Sequence, residues 1–227
     1  MTITYYPELI QGTSEWHQQR LGLLTASEMK LIITPKKLEY AENDKEKGHL
    51  YELAAQRINQ YVEPSYIGDA MLRGQEDESY ARETYNDKYS PVETVGFVTN
   101  NEFGFTLGYS PDGLVGTRKQ IEAKSRKQRL QLETILNWAV PDEHVIQVQT
   151  GLLVTRRDTL DYISYCGGMP MATIPVEPDL RVQSAIINAA TIFHEKLEKV
   201  IQKYKDRLLE KAEWLIETER VARDITV

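Results

Sequence analysis

The chain has 227 residues, 41% apolar and 27% charged, with 13 Gly and 9 Pro, a composition that fits a folded globule and excludes a disordered or fibrous chain. Its single cysteine, Cys166, excludes an internal disulfide, a multi-thiolate zinc site and a four-cysteine iron–sulfur cluster, so any metal must be held mainly by oxygen or imidazole. With 34 acidic against 27 basic side chains the net charge is −7, which argues against a general nucleic-acid coat protein but not against a nuclease, whose metal site needs acids and whose strand path needs only local positive charge.

No run approaches the ~18 consecutive apolar residues of a membrane span, and the opening MTITYYPELIQGTSEW lacks the charged-then-apolar order of a signal peptide. A soluble, cytoplasmic protein without membrane contact is expected. No repeat, low-complexity tract or linker marks a boundary, so residues 1–227 are expected to form one domain. From Glu15 to about Ile33, apolar residues such as Trp16, Leu21, Leu24 and Met29 suggest helical turns, with Thr25 or Ser27 as a helix start. Helices are also predicted from Lys45 to Tyr61 and from Gly74 to Tyr89. After Pro91 short apolar runs are punctuated by Gly104, Gly108, Pro111, Gly113 and Gly116, the pattern of strands joined by tight turns. Pro141-Asp142-Glu143 opens a predicted helix to about Thr155, with proline and acids suited to its first turn. Two β-rich runs, Leu160–Cys166 and Ala172–Val176, precede a long amphipathic helix between Pro178 and Arg220. The order predicts an α/β (α+β) fold with a central mixed sheet flanked by helices.

Chemistry concentrates in Gly108-Tyr109-Ser110-Pro111-Asp112-Gly113 and, ten residues after Asp112, Ile121-Glu122-Ala123-Lys124. On a strand, Glu122 and Lys124 share one face while Ile121 and Ala123 turn to the other. If Asp112 ends one strand of a hairpin and Glu122 lies on the next, both carboxylates converge on a hard divalent cation such as Mg²⁺, which keeps several waters and accepts a backbone carbonyl and substrate phosphate as further ligands. Lys124 would then orient or help deprotonate an attacking water and offset charge growing on a phosphate. The alternative is structural: Asp112 capping a turn, Glu122 paired with Lys124 in solvent.

These residues resemble the PD-(D/E)xK nuclease superfamily, and more specifically the lambda exonuclease-like, YqaJ-type viral recombinases. Four blocks match in order: Trp16-His17 through Arg20-Leu21-Gly22 to Thr25-Ala26-Ser27-Glu28; Gly74 with Glu78 and Ala81-Arg82; Ser110-Pro111-Asp112-Gly113-Leu114 with Glu122-Ala123-Lys124; and Gln147-Val148-Gln149 with Val154-Thr155-Arg156. The match spans about residues 15 to 157; the C-terminal third carries none of it.

The resemblance implies a restriction-endonuclease-like fold and roles by position. Asp112 and Glu122 would be metal ligands with the Ala123 carbonyl as a third, and Lys124 the catalytic lysine. Glu78 corresponds to an additional acid near a second metal or its water; alternatively Glu76-Asp77-Glu78 is a solvated helix face. Gln147 corresponds to the glutamine that places the water or scissile group; Gln149, roughly 200° further round a helix, cannot face the same site. Arg20, Ser27 and Ser110 match residues that hold a terminal 5′-phosphate, against the alternative that Arg20 pairs with Glu15 or another acid and Ser27 caps a turn. Met71 matches an apolar position proposed to wedge strands apart, or is core.

The implied activity is a Mg²⁺-dependent 5′→3′ exonuclease, with Mn²⁺ as a possible substitute. It would digest linear double-stranded DNA from its ends to mononucleotides and a 3′ single strand, for recombination by single-strand annealing. Ring-shaped homotrimers, an annealing protein as partner, and a phage or prophage origin in a bacterial host are further implications. The rivals are a restriction-like or repair endonuclease on the same fold and a non-catalytic DNA-end-binding scaffold. His17, His49, His144 and His194 form no close metal-ligand pair and are read as surface or packed residues, Cys166 as a small buried apolar residue. The basic run Lys124–Arg129 either tracks a DNA backbone or is a solvated loop.

Overall fold

The structure, a computed structural model, describes residues 2–63 and 68–220, without the side chains of 69–71. The Met71 side chain therefore lies outside the described residues. Among the described residues, eight strands form two four-stranded sheets. In the first, the order is β1-β3-β4-β2, from β1 (Ile3–Tyr6), β2 (Leu24–Thr25), β3 (Phe97–Asn100) and β4 (Leu107–Tyr109); in the second it is β5-β6-β7-β8, from β5 (Gly113–Val115), β6 (Lys119–Ser125), β7 (Thr159–Tyr165) and β8 (Ala172–Val176). Both are mixed: β2 runs parallel to β4 and β6 parallel to β7, the other pairs being antiparallel. A two-residue bridge, Glu93 with Leu114, joins β5 to the chain just before β3.

The expected α+β class holds, with its strands divided between two sheets and, among the described residues, six α-helices around them: α1 (Ser14–Arg20), α2 (Asp44–Asn59), α3 (Asp69–Lys88), α4 (Gln128–Asn137), α5 (Asp142–Thr155) and α6 (Leu180–Glu210). Helix α6 is positioned by its stripe: Val182, Ile186, Ala189, Ala190, Phe193 and Leu197 recur at steps of three and four and are buried against the main core. Asp179 caps it, its carboxylate accepting from the Arg181 and Val182 amides at 2.9 and 3.2 Å, a contact of about 1 kcal/mol. The stripe continues in the partly buried Val200 and Ile201, and the helix ends at Glu210, short of the expected Arg220.

Three expectations are corrected. Helical turns from Glu15 end at Arg20 and return only as a 3-10 turn, Met29–Leu31, and Thr25 is no helix start but half of the short parallel strand β2, paired with Gly108; the Ala26 amide extends that pairing to the Gly108 carbonyl at 2.8 Å. Tertiary pairing here overrides local propensity. The basic run after β6 is not a solvated loop: Arg126 is buried, its amide bonds the Tyr165 carbonyl at 2.7 Å, and Gln128 already begins α4. Strand β1, absent from the apolar pattern, forms by pairing with β3.

Strand β6 sits between β5 and β7 and is covered on both faces. Ile121 and Ala123 pack with Ala81 and Tyr85 of α3 and Ile163 of β7, whereas the side chains between them face α5.

Candidate active site

Glu122 lies at the centre of β6 and is 1% exposed. One carboxylate oxygen accepts the Tyr109 hydroxyl at 2.6 Å, and the other accepts both Lys124 Nζ at 2.6 Å and Gln147 Nε2 at 2.5 Å. The Lys124 contact follows from strand alternation; the other two need three elements to meet. Tyr109 ends β4 of the first sheet, and Gln147 lies on α5, which packs between the sheets. Gly151 of the same helix makes this approach possible, because a Cβ there would stand 2.8 Å from Tyr109 Cζ. A helix-interior glycine costs roughly 0.5–1 kcal/mol, and here it admits the ring that holds Glu122.

Asp112 precedes β5, and its Oδ2 accepts the Ala123 amide at 2.7 Å. Helix α3 brings Glu78 to 3.9 Å from Lys124 Nζ, and Arg82, one turn further on, donates to the Asp112 carbonyl at 3.2 Å. Thus Asp112, Glu122, Ala123, Lys124, Glu78 and Gln147 come together from four elements. Gln149 is turned away, donating to the Glu177 carbonyl at 2.9 Å and accepting the Asp179 amide at 2.8 Å, where it braces the start of α6.

Three carboxylates around one ammonium make an electrostatically strained group. Burial pushes the Asp112 carboxyl well above its ordinary range, Glu122 and Glu78 add to the shift, and Lys124 opposes it. Burial likewise raises Glu78, with Glu122 adding and Lys124 and Arg82 opposing. Burial works against the charge of Lys124, but Glu122, Asp112 and Glu78 outweigh it and raise the amine, which stays an ammonium.

The surplus of negative charge and the all-oxygen donor set suit a hard divalent cation. Among the described residues no three carboxylate, thiolate or imidazole groups form a ready-made metal cage.

A second cluster adjoins Ser110. Arg20 lies over the Trp16 ring, 4.1 Å from its centroid, and donates to Thr25 Oγ1 at 3.3 Å; Trp16 Nε1 donates to Ser110 Oγ at 3.0 Å; and Ser27 Oγ is 3.3 Å from Thr25 Oγ1. Arg20, Ser27 and Ser110 are gathered, linked through Trp16 and Thr25. The rival Arg20–Glu15 pair is not formed, since Glu15 accepts from Ser14 and Arg20 faces Trp16 and Phe97, while Glu28, which accepts from Thr25 Oγ1 at 2.6 Å, acts on Arg20 electrostatically. The parallel pairing of β2 with β4 causes this gathering, because it sets residues 25–27 beside 108–110.

Sequence reasoning missed Tyr109, the tying role of Trp16 and Thr25, and Arg82. Tyr109 had a signal: a bulky hydroxyl-bearing aromatic directly before Ser110-Pro111-Asp112. The histidines are packed as expected: His49 is buried, and His144 bonds the Tyr162 hydroxyl through Nδ1 at 2.7 Å. Burial, aided by Lys124 and Arg126, lowers His144 to about 4 and keeps it neutral.

The YqaJ-like viral recombinase domain matches residues 15–158, more than half of the chain. The protein belongs to the YqaJ-like viral recombinase family. Among solved structures this family member is similar to an alkaline exonuclease from Laribacter hongkongensis, at 29% identity over 87% of this chain and 99% of that one, with a TM-score of 0.77. The structure of that exonuclease in complex with dAMP matches at 30% identity, the same coverage and the same TM-score. A phage-related exonuclease from Haemophilus somnus, 14% identical over 80% of this chain and 96% of that one, shares the fold at a TM-score of 0.60. No curated protein matches the chain. The matched segment contains both clusters and leaves out β1, β7, β8 and α6.

Proposed function

We propose that the protein is a Mg²⁺-dependent 5′→3′ exonuclease, with Mn²⁺ as a substitute, acting as one nuclease domain on the ends of linear double-stranded DNA. The observation that carries this reading is the buried meeting of Asp112, Glu122 and Lys124, with Glu78 and Gln147 at its edge, in a member of a family whose solved relatives include an alkaline exonuclease.

Asp112, Glu122 and the Ala123 carbonyl would hold the cation, with Glu78 beside it. The Ala123 carbonyl suits this because a strand residue's amide and carbonyl point to the same edge, and its amide already meets Asp112. A divalent cation supplies charge neutralisation at the scissile phosphate and a lowered water pKa. Lys124, as an ammonium, orients the attacking water and offsets charge developing on the phosphate. Gln147 holds the Glu122 carboxylate in place and presents its amide to the scissile group, while Tyr109 restrains the same carboxylate from the opposite sheet.

The guanidinium of Arg20, stacked on Trp16, with the Ser27 and Ser110 hydroxyls, would receive a terminal 5′-phosphate, whose extra charge over an internal diester selects the 5′ end. Digestion would leave a 3′ single strand for an annealing protein in the cytoplasm of a bacterial host, and a homotrimeric ring around DNA would let an acidic chain remain on its substrate without strong electrostatic grip.

The test is digestion of 5′-phosphorylated and 5′-hydroxyl linear duplex and of closed circular DNA, with Mg²⁺ or EDTA. The expected result is Mg²⁺-dependent release of mononucleotides, faster from phosphorylated ends, with circles intact and with Arg20→Ala losing the preference for phosphorylated ends. Nicked circles would make the enzyme an endonuclease instead, and absence of any cleavage would leave a binding scaffold.

A further inference from the structure

The face of β6 that carries Glu122 and Lys124 continues one step further. Arg126 keeps the strand alternation, because its amide still bonds the β7 carbonyl of Tyr165, and it therefore projects beside Lys124 towards the first turn of α5. It is only 8% exposed. A guanidinium has five N–H donors in a planar fork. Arg126 directs one nitrogen to Glu143 at 2.7 Å, while its Nε is buried without a hydrogen-bond partner among the described residues. A charged donor left unmet in the interior is expensive, so this one is poised for an acceptor that the chain does not itself supply.

The Arg126–Glu143 pair is also lopsided. The arginine side chain is 7% exposed and the glutamate 60%. Glu143 can swing into water at little cost; Arg126 cannot leave. Near the pair, Lys124 lies on the same face and is itself held by Glu122, Lys30 is near enough to act on both Glu143 and His144, and the His144 ring is tied to Tyr162. An anion entering here meets a buried fork, and a guanidinium fork fits two phosphate oxygens at once.

We propose that Arg126 binds the backbone phosphate next to the scissile one on its 3′ side, and that Glu143 stands in for this phosphate until DNA displaces it. Two strand residues at about 3.3 Å each separate Lys124 from Arg126 by about 6.6 Å, one step of an extended nucleic-acid strand. The side follows from the fold: the Arg20, Ser27 and Ser110 cluster adjoins Asp112 from the first sheet, whereas Arg126 bonds β7 and α5, beyond Lys124. The proposal rests on the exonuclease reading and adds to it a contact outside the metal cluster and the terminal-phosphate pocket.

The experiment measures kcat/KM for release of the first nucleotide from two 5′-phosphorylated duplexes, alike except that in one the linkage 3′ to the first scissile bond is a neutral methylphosphonate. Wild-type enzyme is expected to lose about 10–100-fold on the neutral linkage. Arg126→Gln should be slower by a similar factor on the ordinary duplex and lose nothing further on the neutral one; Arg126→Lys should regain part of the discrimination. Glu143→Gln, which removes the competing charge, should lower KM on the ordinary duplex. Equal losses of Arg126→Gln on both duplexes, or a wild-type enzyme indifferent to the substitution, overturn the proposal; if Arg126→Gln does not fold, wild type and Arg126→Lys decide it, and unchanged KM in Glu143→Gln overturns the stand-in role. Failure of wild type on the ordinary duplex with Mg²⁺ defeats the exonuclease reading itself, a result separate from every other.

Discussion

On one face of β6, Ile121 and Ala123 pack against Ala81 and Tyr85 of α3 and Ile163 of β7; on the other, Gln120, Glu122 and Arg126 are buried but polar, with Lys124 half-buried between them. The first face follows the ordinary logic of burial, in which each apolar group removed from water stabilises the fold. The second opposes it. There, Tyr109 and Gln147 are recruited from other elements to satisfy Glu122, while both oxygen and nitrogen of the Gln120 amide, and Nε of Arg126, stay unpartnered among the described residues. A strand that is stable on one side and under electrostatic strain on the other places its chemistry on rigid ground: the apolar face anchors what the polar face would otherwise push apart.

The largest effect expected comes from the polar face. Lys124→Ala should lower the rate of DNA hydrolysis by about 10²–10³ or more, with an unchanged far-UV circular dichroism spectrum. A folded variant working at the wild-type rate would take Lys124 out of the chemistry and reduce the contrast between the faces to one of packing. The opposite face should answer in the opposite way. Ile121→Ala should cost about 2–5 kcal/mol in urea denaturation, because it opens a cavity beneath the strand, while the folded fraction keeps its turnover. Loss of turnover without loss of stability would show that the two faces are not separable.

A smaller effect sharpens the comparison through pH. Asp112 and Glu78 have carboxyl groups raised in the fold, chiefly by burial, so between the ordinary carboxyl range and their raised values the folded state keeps protons that the unfolded state has released. Their contribution to stability is fully present below the ordinary range and is lost as pH rises through the raised values. Thermal denaturation in EDTA should therefore show stability falling over this rise. Mg²⁺ should flatten the slope, because it binds the ionised acids and stabilises the form they occupy. A slope identical with and without Mg²⁺ would mean that these acids do not hold the cation.

Much of the site was legible from spacing alone. Glu122 and Lys124 share a face because strand side chains alternate, and Gln147 and Gln149 face different ways because a helix turns about 100° per residue, the choice of Gln147 following from the family resemblance. Helices α2 and α6 were equally legible, since their apolar positions recur at helical period, and α5 from the proline and acids at its start. Less legible was the stretch from Leu21 to Ile33, where a helix was expected and Thr25 proved to be strand. Two residues paired to β4 leave no periodic trace, and that pairing is what brings Ser27 near Ser110. Arg126 was hidden for a similar reason: within a run of Lys and Arg, nothing local distinguishes a buried guanidinium from exposed ones such as Arg129.

Residue type and period thus determined by themselves which side chains could do chemistry, which of them share a face, and to which family the arrangement is similar, because alternation and helical turn are properties of the backbone that hold in any fold. Only the tertiary structure decided that Tyr109 reaches Glu122 across from another sheet, that Trp16 joins Arg20 to Ser110, and that Arg126 is enclosed with a donor unmet. Those facts depend on contacts between residues far apart in the chain and on how much water each one loses, neither of which a local pattern encodes.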